Sequence, residues 1–346
     1  MKKIFISLVA VAAIAACSKS EVAYEQPQEI GFAPAVKNVT KAAMTGTLNT
    51  TDNLGIWAYW NGVEGAVEAN ANYANYTDSY LADALFVNRD ATAWGGETSY
   101  PWPTNGALVF AGYNKKADDS FTAEYSGLTT NTMTFKNYTQ SAELAKTFDL
   151  CWFGKTAASY NNRANGNAVA VTMSHAMTWL TINVKGDATT ASNTNPWRVT
   201  KATLLNVNTV GTTGTCVFDN TGKASATWTS TTPANMVLNT ATQTLSTTAA
   251  PYESVNNGVV VIPQTPVMLE VEYEYPVGTE YKKGKTTINL TLTNQKDENG
   301  NAITNTINTW LSGTHYTYTI VFKANEILVA PSYGTWATAD QSVIVE

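Results

Sequence analysis

Two histidines and three cysteines are the side chains in this sequence best suited to chemistry, and their spacing decides what chemistry is open to them. His175 lies in VTMSHAMTW and His315 in SGTHY, and neither stands at a metal-ligand spacing along the chain. His175 shares strand parity with Val171, Met173 and Met177, which predicts a hydrogen-bonded histidine in a core or interface rather than a catalytic one. His315 follows a turn and reads as a residue at the start of a strand. Cys151 in FDLCWFG and Cys216 in GTCVFD lie in apolar runs. An oxidising compartment would permit a disulfide between them, but nothing in the spacing demands one, and two buried free thiols is the preferred reading. KDENGN, residues 296–301, sets Asp297, Glu298 and Asn299 before a glycine. It lacks the alternating oxygen ligands and distal glutamate of a calcium loop and predicts a hairpin tip. GTTGTC, residues 211–216, reads as a turn, without the lysine and helix start that phosphate binding needs. No P-loop, G-x-S-x-G elbow or dinucleotide fingerprint occurs. The sequence therefore implies no enzyme, no cofactor and no metal.

The remaining cysteine, Cys17, has a different setting. Lys2 and Lys3 precede an apolar run from Ile4 to Ala16, too short to span a bilayer and ending in small residues. Ile14, Ala15 and Ala16 before Cys17 resemble the lipobox of bacterial lipoproteins, which implies acylation of the Cys17 sulfur and a palmitate-type lipid anchor. No later stretch is long and apolar enough to cross a membrane. Close behind this anchor, PAVKNVTKAAMTG (Pro34 to Gly46) offers Lys37 and Lys41 to a trypsin-like protease wherever the segment is loose. A net charge of −6 and a pI near 5.1 leave no basic patch to neutralise phosphates, which excludes nucleic acid as a partner.

The elements that would carry these residues are strands. VMLEVEYEY puts Val267, Leu269, Val271, Tyr273 and Tyr275 on one face and Glu270, Glu272 and Glu274 on the other. TTINLTLTN repeats the pattern with Ile288, Leu290 and Leu292, and PVGTEYKKGK between them reads as a hairpin connection. HYTYTIVF alternates Tyr316, Tyr318, Ile320 and Phe322 against threonines, and GVVVIPQ is a short buried run stopped by Pro263. EIGF, NLGIWAYW, GALVFAGYN and NTMTFKNY read as strands of the first half. SYLADALFVNR, from Ser79 to Arg89, is the one plausible short helix. Trp57, Tyr59, Trp60, Tyr100 and Trp102 could build a sugar-stacking platform, although strand aromatics are more often core. ASYNNRANGNA, residues 158–168, lacks an apolar period and marks a domain boundary. The expected chain is all-β, with two tandem Greek-key β-sandwich domains after a lipoprotein signal peptide. Its divisions are 1–16 signal, 17–41 propeptide, 42–165 N-terminal sandwich and 166–346 C-terminal sandwich.

An ordered series of motifs then gives a resemblance. EIGFAPAVKNVTKA, LGIWAYW, YPWPTNGALVFAGYN, VAVTMSHAMTWLTINVKG, VVVIPQ and WLSGTHYTYTIVFKANEILVAPSYGTW run from Glu29 to Trp336 in the order of fimbrillin-like proteins of the type V pilin superfamily. The resemblance implies transthyretin-like sandwiches and a lipoprotein precursor carried to the outer membrane. It also implies cleavage between Lys41 and Ala42, with Lys37 as an alternative site. The released strand would include Ile30, Phe32 and Val36, and would leave an open groove. Another subunit's C-terminal strand would fill that groove, here Val343, Ile344 and Val345. The tail is otherwise an ordinary terminal strand of its own domain. Implied partners are other fimbrial subunits, the outer membrane before processing, and a host or bacterial surface ligand. The sequence departs from the family's best-understood members in having lysine instead of arginine at the cut. The rival readings are a non-polymerising surface lipoprotein that binds glycans, and an anchor or tip subunit of the same pilus.

Overall fold

The computed structural model describes residues 28–36, 48, 51–62, 73–90, 93–116, 120–158, 168–191, 194–218, 224–252, 258–291, 307–324 and 327–335. The described chain is all-β apart from two short 3-10 turns, Tyr73–Asn75 and Leu144–Lys146. Among the described residues, no helix is long and apolar enough to cross a membrane.

Seven strands, most of them from the first half of the chain, build a closed barrel. It comprises β1 (Gly31–Val36), β2 (Asn53–Trp60), β3 (Asp78–Asp90), β4 (Ala93–Gly96), β5 (Leu108–Lys115), β8 (Cys151–Ala158) and β9 (Val169–His175), in the order β1-β4-β3-β2-β5-β8-β9. Strand alternation sorts the side chains between two cores. Leu54, Ile56 and Ala58 of β2 and Leu108 and Phe110 of β5 fill the barrel with Phe32, Phe86, Trp94, Phe153 and Met173. Their neighbours Trp57, Val109, Ala111 and Tyr113 face the other way, into a second core.

The second core is covered by a seven-stranded sheet. Its strands are β6 (Thr122–Tyr125), β7 (Thr132–Thr139), β11 (Arg198–Phe218), β12 (Ala224–Asn239), β13 (Gln243–Thr244), β16 (Met268–Val277) and β17 (Glu280–Asn289). β11 is the spine: its first part pairs with β16, its last part with β7, and β12 follows it along nearly its whole length. The third sheet holds β10 (Thr178–Gly186), β14 (Ala250–Pro251), β15 (Val259–Val261), β18 (Thr314–Phe322) and β19 (Ile327–Thr335). Leu180, Ile182, Val184, Tyr318, Ile320 and Phe322 of this sheet meet Leu204, Leu269 and Val271 of the seven-stranded sheet in a third core. The expected division at 165/166 falls between β8 and β9, which are neighbours in the barrel and pair at Cys151 and His175.

Three local expectations are corrected. Ser79–Arg89 is not a helix but most of β3, paired with β2 and β4. A β-bulge opposite Trp57 sets Asp83 at φ 48° and moves the buried positions to Leu81, Ala84 and Phe86, a spacing that imitates a helical stripe. Tyr113 donates a hydrogen bond to Asp83 at 3.1 Å, and burial raises the carboxyl's pKa. GTTGTC is not a turn but the interior of β11. A Cβ at Gly211 or Gly214 would lie 2.5 and 2.6 Å from the indole of Trp228, so the glycines make room for that ring. The β16–β17 connection is only Gly278 and Thr279, with Gly278 at φ 62°. The lysines read as loop are strand residues: Lys283 stands opposite Glu274 and Lys285 opposite Glu272, and Lys285 reaches Glu270 at 2.8 Å. Cys151 and Cys216 are buried free thiols, as preferred from the sequence.

Candidate functional site

β1 is the first described strand, and it lies between β4 and β9. It pairs antiparallel with β4 at Gly31 and Phe32, and parallel with β9 from Phe32 opposite Val169 to Val36 opposite Met173. Just before it, Ile30 N–H donates to Tyr100 O and Trp102 N–H donates to Gln28 O, both at 2.9 Å. Glu29 accepts from Ser99 Oγ at 2.6 Å and from the Tyr100 amide at 2.7 Å. Alternation turns Ile30, Phe32 and Pro34 inward, and all three are buried. Pro34 has no N–H to give a ladder, and it lies beyond the β4 pairing, which covers Gly31 and Phe32.

Phe32 is the centre of this seat. Its ring meets Phe86 edge-on at 4.9 Å and Phe110 edge-on at 5.1 Å, with Phe153 tilted at 6.4 Å. Such aromatic pairs contribute about 0.5–1.5 kcal/mol each beyond burial. The wall around the strand is Phe86, Trp94, Phe110, Phe153, Val171 and Met173, all buried. Sequence reasoning named the strand but not this wall; the signal for it was the inward parity of β5 and β9. Trp94 is held in place by its Nε1–H, which donates to Asp52 O at 2.7 Å. Tyr80 donates to Pro101 O at 2.5 Å, and burial, then Glu29, raise its phenol pKa.

Ile30, Phe32 and Val36 thus lie on one continuous segment. Cys17, Lys37, Lys41, Ala42, Val343, Ile344 and Val345 lie outside the described residues. Lys37 directly follows the last residue of β1, and Lys41 and Ala42 fall in the sequence between β1 and β2. The aromatics weighed as a sugar platform have packing roles. Trp57 and Trp102 are buried, Tyr100 stacks on Phe86 at 5.2 Å, and Trp60 Nε1–H donates to Asn105 O at 3.0 Å. His315 stacks on Trp179 with ring centroids 3.6 Å apart, and His175 is buried beside Asp149.

An all-β protein whose barrel is closed by its own first described strand is the class that fold and site define. The sequence matches the fimbrillin-like family over residues 40–336, and the chain belongs to that family. A fimbrial protein from Bacteroides vulgatus ATCC 8482 shares the fold, with a TM-score of 0.53 at 17% identity over 88% of this chain and 99% of that chain. A putative cell adhesion protein from Bacteroides ovatus ATCC 8483 aligns at TM-score 0.47 and 16% identity, over 91% of this chain and 100% of that one. One from Bacteroides uniformis ATCC 8492 aligns at 0.46 and 16%, over 89% and 99%. No curated protein matches the sequence. Membership in the fimbrillin-like family makes the chain a pilus-type structural or adhesion subunit with a surface or extracellular location.

Proposed function

We propose that this protein is a structural subunit of a type V fimbria, exported as a lipoprotein acylated at Cys17 and matured by cleavage between Lys41 and Ala42. Maturation releases β1, and the vacated seat accepts the C-terminal strand of another subunit, with Val343 and Val345 on one face and Ile344 on the other. The observation that carries this reading is the seat of β1. Taking the strand out would free one edge of β4 and one of β9 and would uncover the Phe86, Phe110 and Phe153 rings. Unpaired edges beside an apolar cleft are strongly disposed to take up an incoming strand, which brings main-chain hydrogen bonds and alternating side chains. Because donor and acceptor lie on different parts of the subunit, the contact is heterologous and extends into a filament.

Lys41 in place of arginine favours a second reading, in which an arginine-specific protease leaves the chain whole and the lipid-held subunit anchors the fimbria. The N-terminus and intact mass of the protein recovered from the cell surface separate the two. A chain beginning at Ala42, without lipid, and a heat-labile oligomer ladder on gels are expected for the polymerising subunit. A chain beginning at acylated Cys17 assigns the anchor role. Changing Lys37 and Lys41 together to alanine should stop polymerisation and leave a folded lipoprotein; polymer at normal yield from that variant would sink the processing step.

A further inference from the structure

A second cluster sits where β8 pairs with β9. Cys151 stands opposite His175 in that ladder, and Asp149 precedes Cys151 by two residues. His175 Nδ1 lies 2.7 Å from Asp149 Oδ2, and Cys151 Sγ lies 3.2 Å from the same oxygen and 3.5 Å from Nδ1. The His175 and Asp149 side chains are 2% and 10% exposed, and Cys151 is 1% exposed. We propose that Asp149 Oδ2, Cys151 Sγ and His175 Nδ1 form a binding site for a divalent cation of the zinc class.

Donor chemistry selects the metal. Thiolate and imidazole suit zinc and exclude the hard cations that need oxygen cages. Geometry fits as well. Tetrahedral zinc with Zn–S of about 2.3 Å and Zn–N or Zn–O of about 2.0–2.2 Å places its ligand atoms about 3.4–3.6 Å apart. Of the observed separations, the 3.5 Å between Sγ and Nδ1 already matches, while Oδ2, at 2.7 Å from Nδ1 and 3.2 Å from Sγ, has to draw back by about 0.7 and about 0.3 Å to admit the ion. The cation takes the place of the hydrogens that now join the three groups. The thiol proton passes to water as the Zn–S bond forms, and the imidazole carries its proton on Nε2 while Nδ1 faces the metal.

An independent observation points the same way. Asp149 Oδ1 is buried and has no hydrogen-bond partner among the described residues. A buried carboxylate oxygen left so is costly, and an ion or water is the usual explanation. By covalent geometry Oδ1 adjoins Oδ2, so it can share the cation or border a water in the fourth coordination position. A second carboxylate, Asp52, is buried and tied to the cluster through Asn114, which adds negative potential for a cation.

The surrounding shell is built to hold ligands still. Asn114 Oδ1 accepts from the Cys151 amide at 2.6 Å. Its Nδ2 donates to Asp149 O at 3.0 Å and to Asp52 Oδ2 at 3.1 Å. One side chain thereby pins the backbone at two ligand positions, the role that outer-shell groups play around metals. A cation here would clamp β8 to β9, and β9 is the strand on which β1 lies. The site itself does not depend on β1 being released.

The test uses the purified full chain without a histidine tag, first stripped with a chelator and then given Zn(II) or Co(II) alone. The expected results are about one zinc retained per chain after dialysis, a higher Tm with zinc, and a thiolate-to-cobalt charge-transfer band. Cys151→Ser should abolish the band, Cys216→Ser should keep it, and Asn114→Ala should weaken zinc binding by about 10–100-fold. The wild-type cobalt spectrum needs no variant to fold. If it lacks the band, or if Cys151→Ser shows the band unchanged, the site does not bind metal and the proposal is overturned.

Discussion

The first and last described strands are held in opposite ways. β1 is enclosed: it is paired on one side with β4 and on the other with β9, and it buries Ile30, Phe32 and Pro34 inside the barrel. Among the described residues β19 is an edge: it pairs there with β18 alone and leads into residues 336–346. Removing β1 would open two ladders and an aromatic cleft at once, whereas removing β19 would expose one side of one strand. Under the proposed maturation, burial would not by itself mark a strand as permanent. A short strand of six residues, ending just before a lysine, would then be both deeply packed and detachable in one proteolytic step. Its packing would measure how strongly the vacated seat attracts a replacement.

That contrast can be broken by measurement. Phe32→Ala removes a ring buried against Phe86 and Phe110, and should destabilise the uncleaved chain by about 3–5 kcal/mol in urea unfolding. A cost under about 1 kcal/mol would mean that β1 is only loosely seated. Val329→Ala in β19 deletes the equivalent of two methylenes at a buried position, for about 1.5 kcal/mol by the same assay. A cost equal to that of Phe32→Ala would erase the distinction between enclosed and edge strand. If the C-terminal segment serves another subunit as proposed, deleting residues 339–346 should leave the monomer's Tm unchanged and abolish chain extension. If the truncated monomer melts early instead, the tail belongs to its own subunit.

Most strands were legible because their side chains alternate without interruption. NLGIWAYW became β2 residue for residue, and Tyr316, Tyr318, Ile320 and Phe322 all turned into the core as their parity required. The misreadings have a common cause, a local pattern altered by a partner far along the chain. The bulge at Asp83 arises against β2 and breaks the period of β3. The glycines at 211 and 214 look like turn residues until Trp228 of β12 is laid over them. Lys283 and Lys285 look like loop residues until the glutamates of β16 face them.

The candidate sites divide along the same line. The sequence by itself determined the all-β class and the strand at Glu29–Phe32, and it made two free thiols the preferred reading of the cysteines, since each follows from patterning along one stretch of chain. Only the tertiary structure decided that this segment closes a barrel between β4 and β9, and that Phe86, Phe110 and Phe153 wait behind it. Tertiary contact alone also brought Asp149 and Cys151 to His175, 24 residues beyond Cys151. The physical reason is range: periodicity reports which face of a strand is apolar, while the identity of what covers that face is a long-range contact that no single stretch of chain encodes.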